Sequence, residues 1–306
     1  MDSVLEKWKD AFAGNEIMTF GDILKTLRIR QWTKNTLIFA ALIFSGHARD
    51  SSSIAKSVEA FVLFCLVTGA VYIFNDIVDV EKDRAHPVKK FRPFAAGLIS
   101  MRTGWLLCSF LGVIAIIVSF LFNAGFGAAV LGYVLLQVAY TFSLKHAVIL
   151  DVFVISFGFL LRVIAGALAI QVAVSNWILI CTMLLALFLA LSKRRHEIVL
   201  LEKQVDVHRV ILKEYTPYLL DQMIGVVTSA TLVAYMIFTL SEETVLKFGS
   251  HMVLTVPFVL YGIFRYLYLV HSKNEGGQPE ETLLSDIPLQ LDILAYGIVA
   301  ILVIYY

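Results

Sequence analysis

Residues 75–93 read NDIVDVEKDRAHPVKKFRP and follow directly on a long apolar run. On a helix, Asp76, Asp79 and Asp83 fall within roughly 60° of one another, with Asn75 at the edge of the same face. Three carboxylates on one face repel each other unless a cation lies among them. The spacing therefore predicts a site for a hard divalent cation such as Mg²⁺, shared with substrate phosphates. The competing interpretation is a solvated loop whose charges only fix membrane topology.

Basic residues close the same stretch. Lys89, Lys90 and Arg92 follow the acids and end at Pro93. Guanidinium and ammonium groups bind phosphate oxygens through charge-assisted hydrogen bonds. We therefore expect Lys89 and Arg92 to contact the phosphate oxygens that the cation leaves uncovered.

The composition is that of an integral membrane protein. Hydrophobic residues make up 59% of the 306 residues and charged residues 16%, and the mean hydropathy is +0.80. A soluble domain carries about 25% charged residues. Because a membrane span must satisfy its own backbone hydrogen bonds, we predict an all-α, polytopic fold. The formal net charge of +1, with bases confined to the membrane edges, argues against nucleic acid as a partner.

Apolar runs recur along the whole chain, which we interpret as one integral membrane domain over residues 1–306. Residues 1–30 are amphipathic and predict an interfacial segment that lies on the membrane. About nine transmembrane helices are expected, each near the ~20 residues that a bilayer requires. They lie near residues 33–46, 55–76, 105–122, 126–142, 149–172, 176–192, 219–240, 251–270 and 288–306.

Charge sorts cleanly between the two sides of these spans. The N-terminal segment and the loops near 77–104, 143–148, 193–218 and 271–287 hold nearly all of the Lys and Arg. The positive-inside rule places these segments in the cytoplasm and the C-terminus on the far side. All groups that could carry chemistry then lie at one pole. A transporter would instead need polar groups along a path through the membrane.

A second polar constellation, Lys193-Arg194-Arg195-His196-Glu197, ends the sixth predicted span. An acidic group facing these bases across one cavity would suit a metal-bound pyrophosphate that carries more charge than the metal neutralises. We expect Lys193, Arg194 and Glu197 to contact substrate. The alternative is an anchor that only fixes topology.

Two smaller groups precede the first and fifth spans. Arg28, Lys34 and Asn35 lead into the first span, where Lys34 and Asn35 are the better substrate-binding candidates because they lie deeper. Tyr140 and Lys145 belong to a short polar cluster on the same side as the acids.

Arg162 stands in the middle of the fifth predicted span. An arginine at that depth costs at least ~2.5–3.5 kcal/mol unless it faces a polar cavity or a partner. It is therefore either a structural tie, to a backbone carbonyl or a buried carboxylate such as Glu59, or a substrate-binding group. Both interpretations stay open from the sequence.

Taken together, these motifs resemble the UbiA superfamily of intramembrane transferases over roughly residues 24–306. The resemblance rests on Arg28-x-x-Gln31-Trp32-x-Lys34-Asn35, Asn75-Asp76-x-x-Asp79-x-x-x-Asp83-x-x-His86-Pro87, Tyr140 through His146, Leu161-Arg162 with Ala165-Gly166, Ser192-Lys193-Arg194-Arg195-x-Glu197, and Pro279-Glu280 with Asp286. It implies helices around a central cavity that opens to the cytoplasm.

One departure from the wider superfamily indicates the branch. Its members that act on aromatic acceptors usually carry a second aspartate-rich motif after the sixth span, where this chain has Lys193, Arg194 and Arg195. The sequence thus resembles the polyprenyl-phosphate 5-phosphoribosyltransferase branch, of the decaprenyl-phosphate type. This implies one acidic metal site and one basic phosphate site.

The resemblance implies a Mg²⁺-dependent glycosyltransferase of the bacterial inner membrane. Asp76, Asp79 and Asp83 would hold Mg²⁺ as catalytic residues, and 5-phosphoribosyl would pass from phosphoribosyl pyrophosphate to a polyprenyl phosphate, giving a precursor of envelope arabinan. The implied substrate-binding residues are Arg28, Lys34, Asn35, Asn75, Lys89, Arg92, Tyr140, Lys145, Arg162, Lys193, Arg194 and Glu197. The alternatives are an aromatic-acceptor prenyltransferase of quinone or haem biosynthesis and a membrane transporter, and a homo-oligomeric assembly is left open.

Overall fold

The computed structural model describes residues 20–201, 214–273 and 279–306, and within these ranges it contains helices and no strands. Most of the predicted interfacial segment, together with parts of the loops 193–218 and 271–287, lies outside the described residues. The described α-helices are α1 (Phe20–Thr26), α2 (Phe39–Phe44), α3 (Ser51–Val78), α4 (Val80–Arg84), α5 (Met101–Phe122), α6 (Ala124–Phe142), α7 (Leu150–Ile170), α8 (Asn176–Leu201), α9 (Pro217–Leu240), α10 (Glu242–Phe248), α11 (Val256–Ser272), α12 (Pro279–Ser285) and α13 (Ile287–Tyr305). Short 3₁₀ segments cover Ile29–Ile38, Lys89–Phe91, Leu144–His146 and Ser250–Thr255.

The predicted all-α, polytopic architecture is confirmed. In the described part of the chain, eight helical stretches are long and apolar enough to cross a membrane. They correspond to the second to ninth predicted spans and consist of α3, α5, α6, α7, α8, α9, the 250–272 stretch that ends in α11, and α13. The count of nine is thus an approximation, because the first predicted span takes another form.

The first predicted span, near 33–46, is a ten-residue 3₁₀ segment followed by the six-residue helix α2. Since a 3₁₀ helix rises about 2.0 Å per residue against 1.5 Å for an α-helix, the two pieces together extend about 29 Å, close to the thickness of a bilayer core. Arg28, just before this element, binds Asp76 at the end of α3. Beyond it, the Ala48 N–H donates to the Tyr305 hydroxyl near the C-terminus. The element therefore passes between the two ends of the bundle.

Close packing against α7 accommodates the 3₁₀ segment. A Cβ atom added at Gly166 would lie only 2.1 Å from the backbone oxygen of Ile38. No other residue type leaves room for that approach. The glycine thus allows the backbones of α7 and the 3₁₀ segment to touch, as small residues commonly do between membrane helices.

Two apolar clusters meet along α7 and hold the bundle together. The first surrounds Phe64 and Phe126 and includes Ala165 from the second half of α7. The second surrounds Phe188 and includes Val152 from the first turn of α7. The ends of α3, α6 and α8 and the start of α7 gather at one end of the bundle, which we call the site pole. The opposite end, where α3 begins and α13 ends, is the far pole.

Candidate active site

The acidic run lies where α3 gives way to α4. Asp76 occupies the last turn of α3 and Asp83 lies in α4, and both side chains are buried. Asp79 is the residue between the two helices, with φ −95° and ψ 9°. Because the helix is interrupted there, the ideal angular spacing used for the sequence prediction does not carry through the whole run.

Asp76 and Asp83 converge on one guanidinium group. The Arg92 Nη1 atom donates to Asp76 Oδ1 at 3.1 Å and to Asp83 Oδ2 at 2.6 Å. Arg28 also donates to Asp76 Oδ1, and its guanidinium lies 4.9 Å from the centre of the Tyr72 ring. We call Asp76 and Asp83 the acidic pair. Its negative charge is compensated by arginines from two separate parts of the chain.

Asp79 has cationic partners that differ from those of the acidic pair. Lys145 Nζ donates to both of its carboxylate oxygens, at 2.8 and 3.0 Å, and Lys82 Nζ lies 3.9 Å away. Among the described residues, no three acidic, histidine or cysteine side chains are grouped as a metal centre would need. The predicted arrangement of three carboxylates on one face therefore differs from the structure, and the physical reason is the helix break at Asp79.

The acidic pair still has donor chemistry that suits a hard cation. Mg²⁺ is usually held by one or two carboxylates, with the remaining positions filled by water and substrate phosphates. Asp76 and Asp83 each place an oxygen within 3.1 Å of the same Arg92 nitrogen. A cation at the position of that nitrogen could reach both carboxylates. The residues present thus fit a divalent cation held by the two aspartates of the acidic pair.

The remaining groups around the acidic pair come from the flanking elements. Thr141 donates to Asn75 Oδ1, which ties the end of α6 to the end of α3. Lys89 lies in the same short loop as Arg92, and its N–H is 3.2 Å from His86 Nδ1. Lys34 is half-buried on the 3₁₀ segment.

Asn35 and Arg162 lie deeper in the bundle than the acidic pair. Arg162 Nε donates to Asn35 Oδ1 at 2.8 Å, its Nη1 to the Gly158 carbonyl at 2.7 Å, and its Nη2 to the Tyr133 hydroxyl at 3.2 Å. Asn35 in turn donates to Thr68 at 3.1 Å, eight residues before Asp76 and thus about 12 Å along α3. The arrangement corresponds to a structural tie that includes a backbone carbonyl, and it brings neither side chain to the acidic pair.

The basic run at the end of α8 has acidic partners of its own. Arg194 Nε donates to Asp151 Oδ2 at 2.7 Å and Nη1 donates to Glu197 Oε2 at 2.6 Å. Its Nη2 reaches the Tyr140 hydroxyl at 3.4 Å. Both Arg194 and Asp151 are buried. Arg194 therefore acts first as a link between α6, α7 and α8, while Lys193 beside it is half-buried.

The acidic and basic groups are neighbours at the site pole. Tyr140 contacts Arg194, and the next residue, Thr141, contacts Asn75. Adjacent residues of α6 thus connect the two groups.

Two contacts at this pole were not predicted from the sequence. The Tyr215 hydroxyl donates to Asp151 Oδ1 at 2.8 Å and accepts the Ile149 N–H at 2.6 Å. Burial, followed by the bond to Asp151, raises the pKa of Tyr215 to about 12, so this hydroxyl keeps its proton at neutral pH. Thr141 was missed as well. Neither residue has a local sequence signal, because in each case the partner lies more than sixty residues away in the chain.

Comparisons with known proteins match this chain over most of its length. A model of the UbiA prenyltransferase family matches residues 36–282. The decaprenyl-phosphate phosphoribosyltransferase of Mycolicibacterium smegmatis is 35% identical over 286 residues, which cover 90% of this chain and 89% of the relative. The Corynebacterium glutamicum protein of the same name is 35% identical over 289 residues, covering 92% and 86% of the two chains.

Solved structures show the same fold. A UbiA homologue from Archaeoglobus fulgidus, bound to GPP and Mg²⁺, superposes with a TM-score of 0.68 at 18% identity, over 92% of this chain and 96% of its own. A structure described as giving insight into digeranylgeranylglyceryl phosphate synthase superposes with a TM-score of 0.64 at 16% identity, over 92% and 97% of the two chains. On this evidence the chain belongs to the UbiA prenyltransferase family.

Proposed function

We propose that this protein transfers 5-phosphoribosyl from phosphoribosyl pyrophosphate to a polyprenyl phosphate of the decaprenyl type. The bond between the anomeric carbon and the pyrophosphate oxygen breaks, and a phosphate oxygen of the lipid forms the new bond. Pyrophosphate leaves, and the lipid-linked ribose is a precursor of cell-envelope arabinan. Support comes from two relatives named decaprenyl-phosphate phosphoribosyltransferase. Each is 35% identical to this chain over 86–89% of its own length.

The observation that carries the proposal is the distribution of charge at the site pole. The acidic pair is matched by Arg28 and Arg92, and the run at the end of α8 is basic, where an aromatic-acceptor enzyme would place a second acidic motif. A donor with a 5-phosphate as well as a pyrophosphate needs more positive charge than one prenyl diphosphate does. The basic run at that place therefore favours phosphoribosyl transfer over prenyl transfer.

A divalent cation, for which we propose Mg²⁺, would neutralise the leaving pyrophosphate when held by Asp76 and Asp83. Arg28, Lys89 and Arg92 would then donate hydrogen bonds to the phosphate oxygens. The lipid phosphate is already ionised at neutral pH, so the reaction needs no dedicated general base.

We place the protein in the bacterial inner membrane with its site pole in the cytoplasm. This orientation follows from the concentration of Lys and Arg at that pole. It would give the charged, water-soluble donor direct access to the acidic pair. The isoprenoid tail of the acceptor would lie against the apolar helices.

The test is a transfer assay on protein purified in detergent. Phosphoribosyl pyrophosphate labelled in the ribose is mixed with decaprenyl phosphate, either with Mg²⁺ or with EDTA, and the organic phase is counted. We expect label in the lipid phase only with Mg²⁺, together with one pyrophosphate released per transfer. The variant Asp76→Asn should abolish both signals while eluting from a sizing column as the parent does.

Two other reactions are checked in the same preparation. A prenyl diphosphate supplied with an aromatic acid acceptor should yield no prenylated product. Formation of that product, with label from phosphoribosyl pyrophosphate remaining in water, would replace the proposal with aromatic prenyl transfer. Substrate uptake into vesicles without chemical change would instead indicate a transporter.

A further inference from the structure

Ile149 has an unusual backbone conformation beside the site. Its φ is +70° and its ψ is −43°, a region that a β-branched residue rarely adopts. It lies directly before α7, at the end of the turn 143–149, which joins α6 to α7. A conformation of this kind persists only where surrounding contacts hold it in place.

Tyr215 supplies a side-chain contact to the N–H of this residue, whose carbonyl accepts from Val152 and Phe153 in α7 at 3.2 Å. The Ile149 N–H donates to the Tyr215 hydroxyl at 2.6 Å, and the same hydroxyl donates to Asp151 Oδ1 at 2.8 Å. Asp151 is fixed from its other side by Arg194 Nε at 2.7 Å. The hydroxyl of a buried tyrosine therefore both accepts from the unusual peptide and donates to a buried carboxylate. Packing alone would be served equally well by phenylalanine.

The turn that Tyr215 holds also carries Lys145. The His146 N–H donates to the Ser143 carbonyl at 3.0 Å and the Ala147 N–H to the Leu144 carbonyl at 3.2 Å. The Asp151 N–H in turn donates to the Ala147 carbonyl at 3.1 Å, which joins the turn to α7. The Lys145 side chain, only 12% exposed, binds both oxygens of Asp79. The conformation at one end of this short turn therefore affects where the ammonium group lies at the other.

We propose that Tyr215 is a positioning residue for the active site. By holding Ile149 at its positive φ angle, the Tyr215 hydroxyl sets the turn so that Lys145 meets Asp79. The hydroxyl itself touches neither the acidic pair nor any proposed substrate position. The effect on turnover rests on the proposed function, whereas the effect on Lys145 does not.

The first test measures how fast Lys145 reacts with a water-soluble amine-acylating reagent, followed by mass spectrometry of its peptide. Tyr215→Phe should raise the rate about fivefold or more, because the released turn exposes the ammonium group. Lys56, which is exposed near the start of α3 at the far pole, is the internal standard and should not change. Tyr218→Phe, on a 74% exposed side chain at the start of α9, is the matched control and should leave Lys145 unaffected.

A second substitution separates positioning from general stability. Glycine adopts positive φ angles without strain, so Ile149→Gly should hold the turn without help from Tyr215. The double variant Tyr215→Phe/Ile149→Gly should then label Lys145 within about twofold of Ile149→Gly alone. In the transfer assay, Tyr215→Phe should lower kcat about tenfold with little change in donor KM, and the double variant should recover most of that loss.

Three outcomes would overturn the proposal. Unchanged labelling of Lys145 in Tyr215→Phe would mean that the hydroxyl does not control the turn. Faster labelling of every lysine would assign the tyrosine to folding alone, and so would the absence of rescue by glycine. If labelling follows the expectation while the parent protein transfers no phosphoribosyl group, the positioning role stands and the proposed function fails.

Discussion

Replacement of Arg92 by methionine should change cation and donor binding in opposite directions. Arg92 Nη1 bonds both members of the acidic pair in the described structure. A cation held by Asp76 and Asp83 would have to displace that guanidinium group. Arg92→Met removes the competitor and keeps an apolar side chain of similar length. It also removes a donor of hydrogen bonds to substrate phosphate.

The contacts of Arg92 set the size of both effects. A hydrogen bond to a charged group contributes about 1.5–3 kcal/mol. The Arg92 side chain is 29% exposed, so solvent screening places the competing interaction at the lower end, about 1.5–2 kcal/mol. Since 1.4 kcal/mol corresponds to a factor of ten, the variant should bind the cation roughly 10- to 30-fold more tightly. Its affinity for phosphoribosyl pyrophosphate should fall by a factor of similar size.

Mn²⁺ is a suitable probe, since its free ion is counted directly by electron paramagnetic resonance. Protein stripped with EDTA is titrated with Mn²⁺ in detergent without donor, and Mg²⁺ is then added as competitor. Donor affinity is measured separately with labelled phosphoribosyl pyrophosphate at saturating Mg²⁺. The matched control is Arg84→Met, because Arg84 pairs with Glu81 on an exposed surface and should alter neither affinity by more than about twofold.

The result that refutes the reasoning is simple to recognise. If Arg92→Met binds Mn²⁺ no more tightly than the parent while the control behaves normally, Arg92 does not compete with a cation for the acidic pair. Weaker donor binding alone would then reduce Arg92 to a phosphate ligand. Weaker binding of both Mn²⁺ and the donor, with an unchanged elution volume, would mean that Arg92 holds Asp76 and Asp83 in the geometry that binds the cation.

Three further outcomes follow from other features of the structure. Asp83→Asn should lower transfer more than 100-fold and leave the elution volume unchanged, as a radiolabel assay beside sizing chromatography would show. Gly166→Ala should lower the melting temperature in detergent, because overpacking costs about 1–3 kcal/mol, whereas Gly132→Ala, with open space around its Cβ, should not. The hydrogen bond from Arg265 lowers the pKa of Asp286. The stability that this hydrogen bond contributes is therefore present above the ordinary pKa of 3.8 and is lost as the pH falls through the lowered pKa. Between pH 5 and pH 3 the melting temperature should fall further for the parent protein than for Asp286→Asn.

The sequence alone was enough to predict the membrane architecture. Long apolar runs occur along most of the chain, and capping residues and prolines mark where the helices begin. Asn123 caps α6 through Phe126 N–H at 2.9 Å, and Pro217 stands in the first turn of α9. The first span differs from the prediction because the prediction assumed the 1.5 Å rise per residue of an α-helix. A ten-residue 3₁₀ segment extends further per residue, and its polar residues gave no sign of that geometry.

At the site, the sequence identified the residues better than their partners. The convergence of Asp76 and Asp83 was within reach of helical periodicity, whereas the departure of Asp79 was not, since no proline or glycine marks the break after Val78. The partner of Asp79 is Lys145, 66 residues later in the chain. Pairings over such distances depend on how helices pack, and one sequence does not encode them in any local pattern.

The same limit applies to Arg162. A mid-membrane arginine indicates a polar partner, and the sequence offered a carboxylate or a backbone carbonyl as candidates. The structure uses the Gly158 carbonyl together with Asn35 and Tyr133. Asn35 was expected at the substrate because of its depth, and that depth is what brings it to Arg162.

The cations of the site pole differ in exposure, since the Lys145 side chain is 12% exposed and that of Arg92 29%. Lys145 lies on the turn that Tyr215 holds, so it suits a constant partner for Asp79. Arg92 lies beyond a three-residue 3₁₀ turn and bonds the acidic pair through a more accessible side chain. Tyr215→Phe, which loosens Lys145, should therefore lower turnover at nearly constant donor affinity. Arg92→Met should instead shift the affinities for the cation and the donor. Identical signatures from Tyr215→Phe and Arg92→Met would contradict this division of roles.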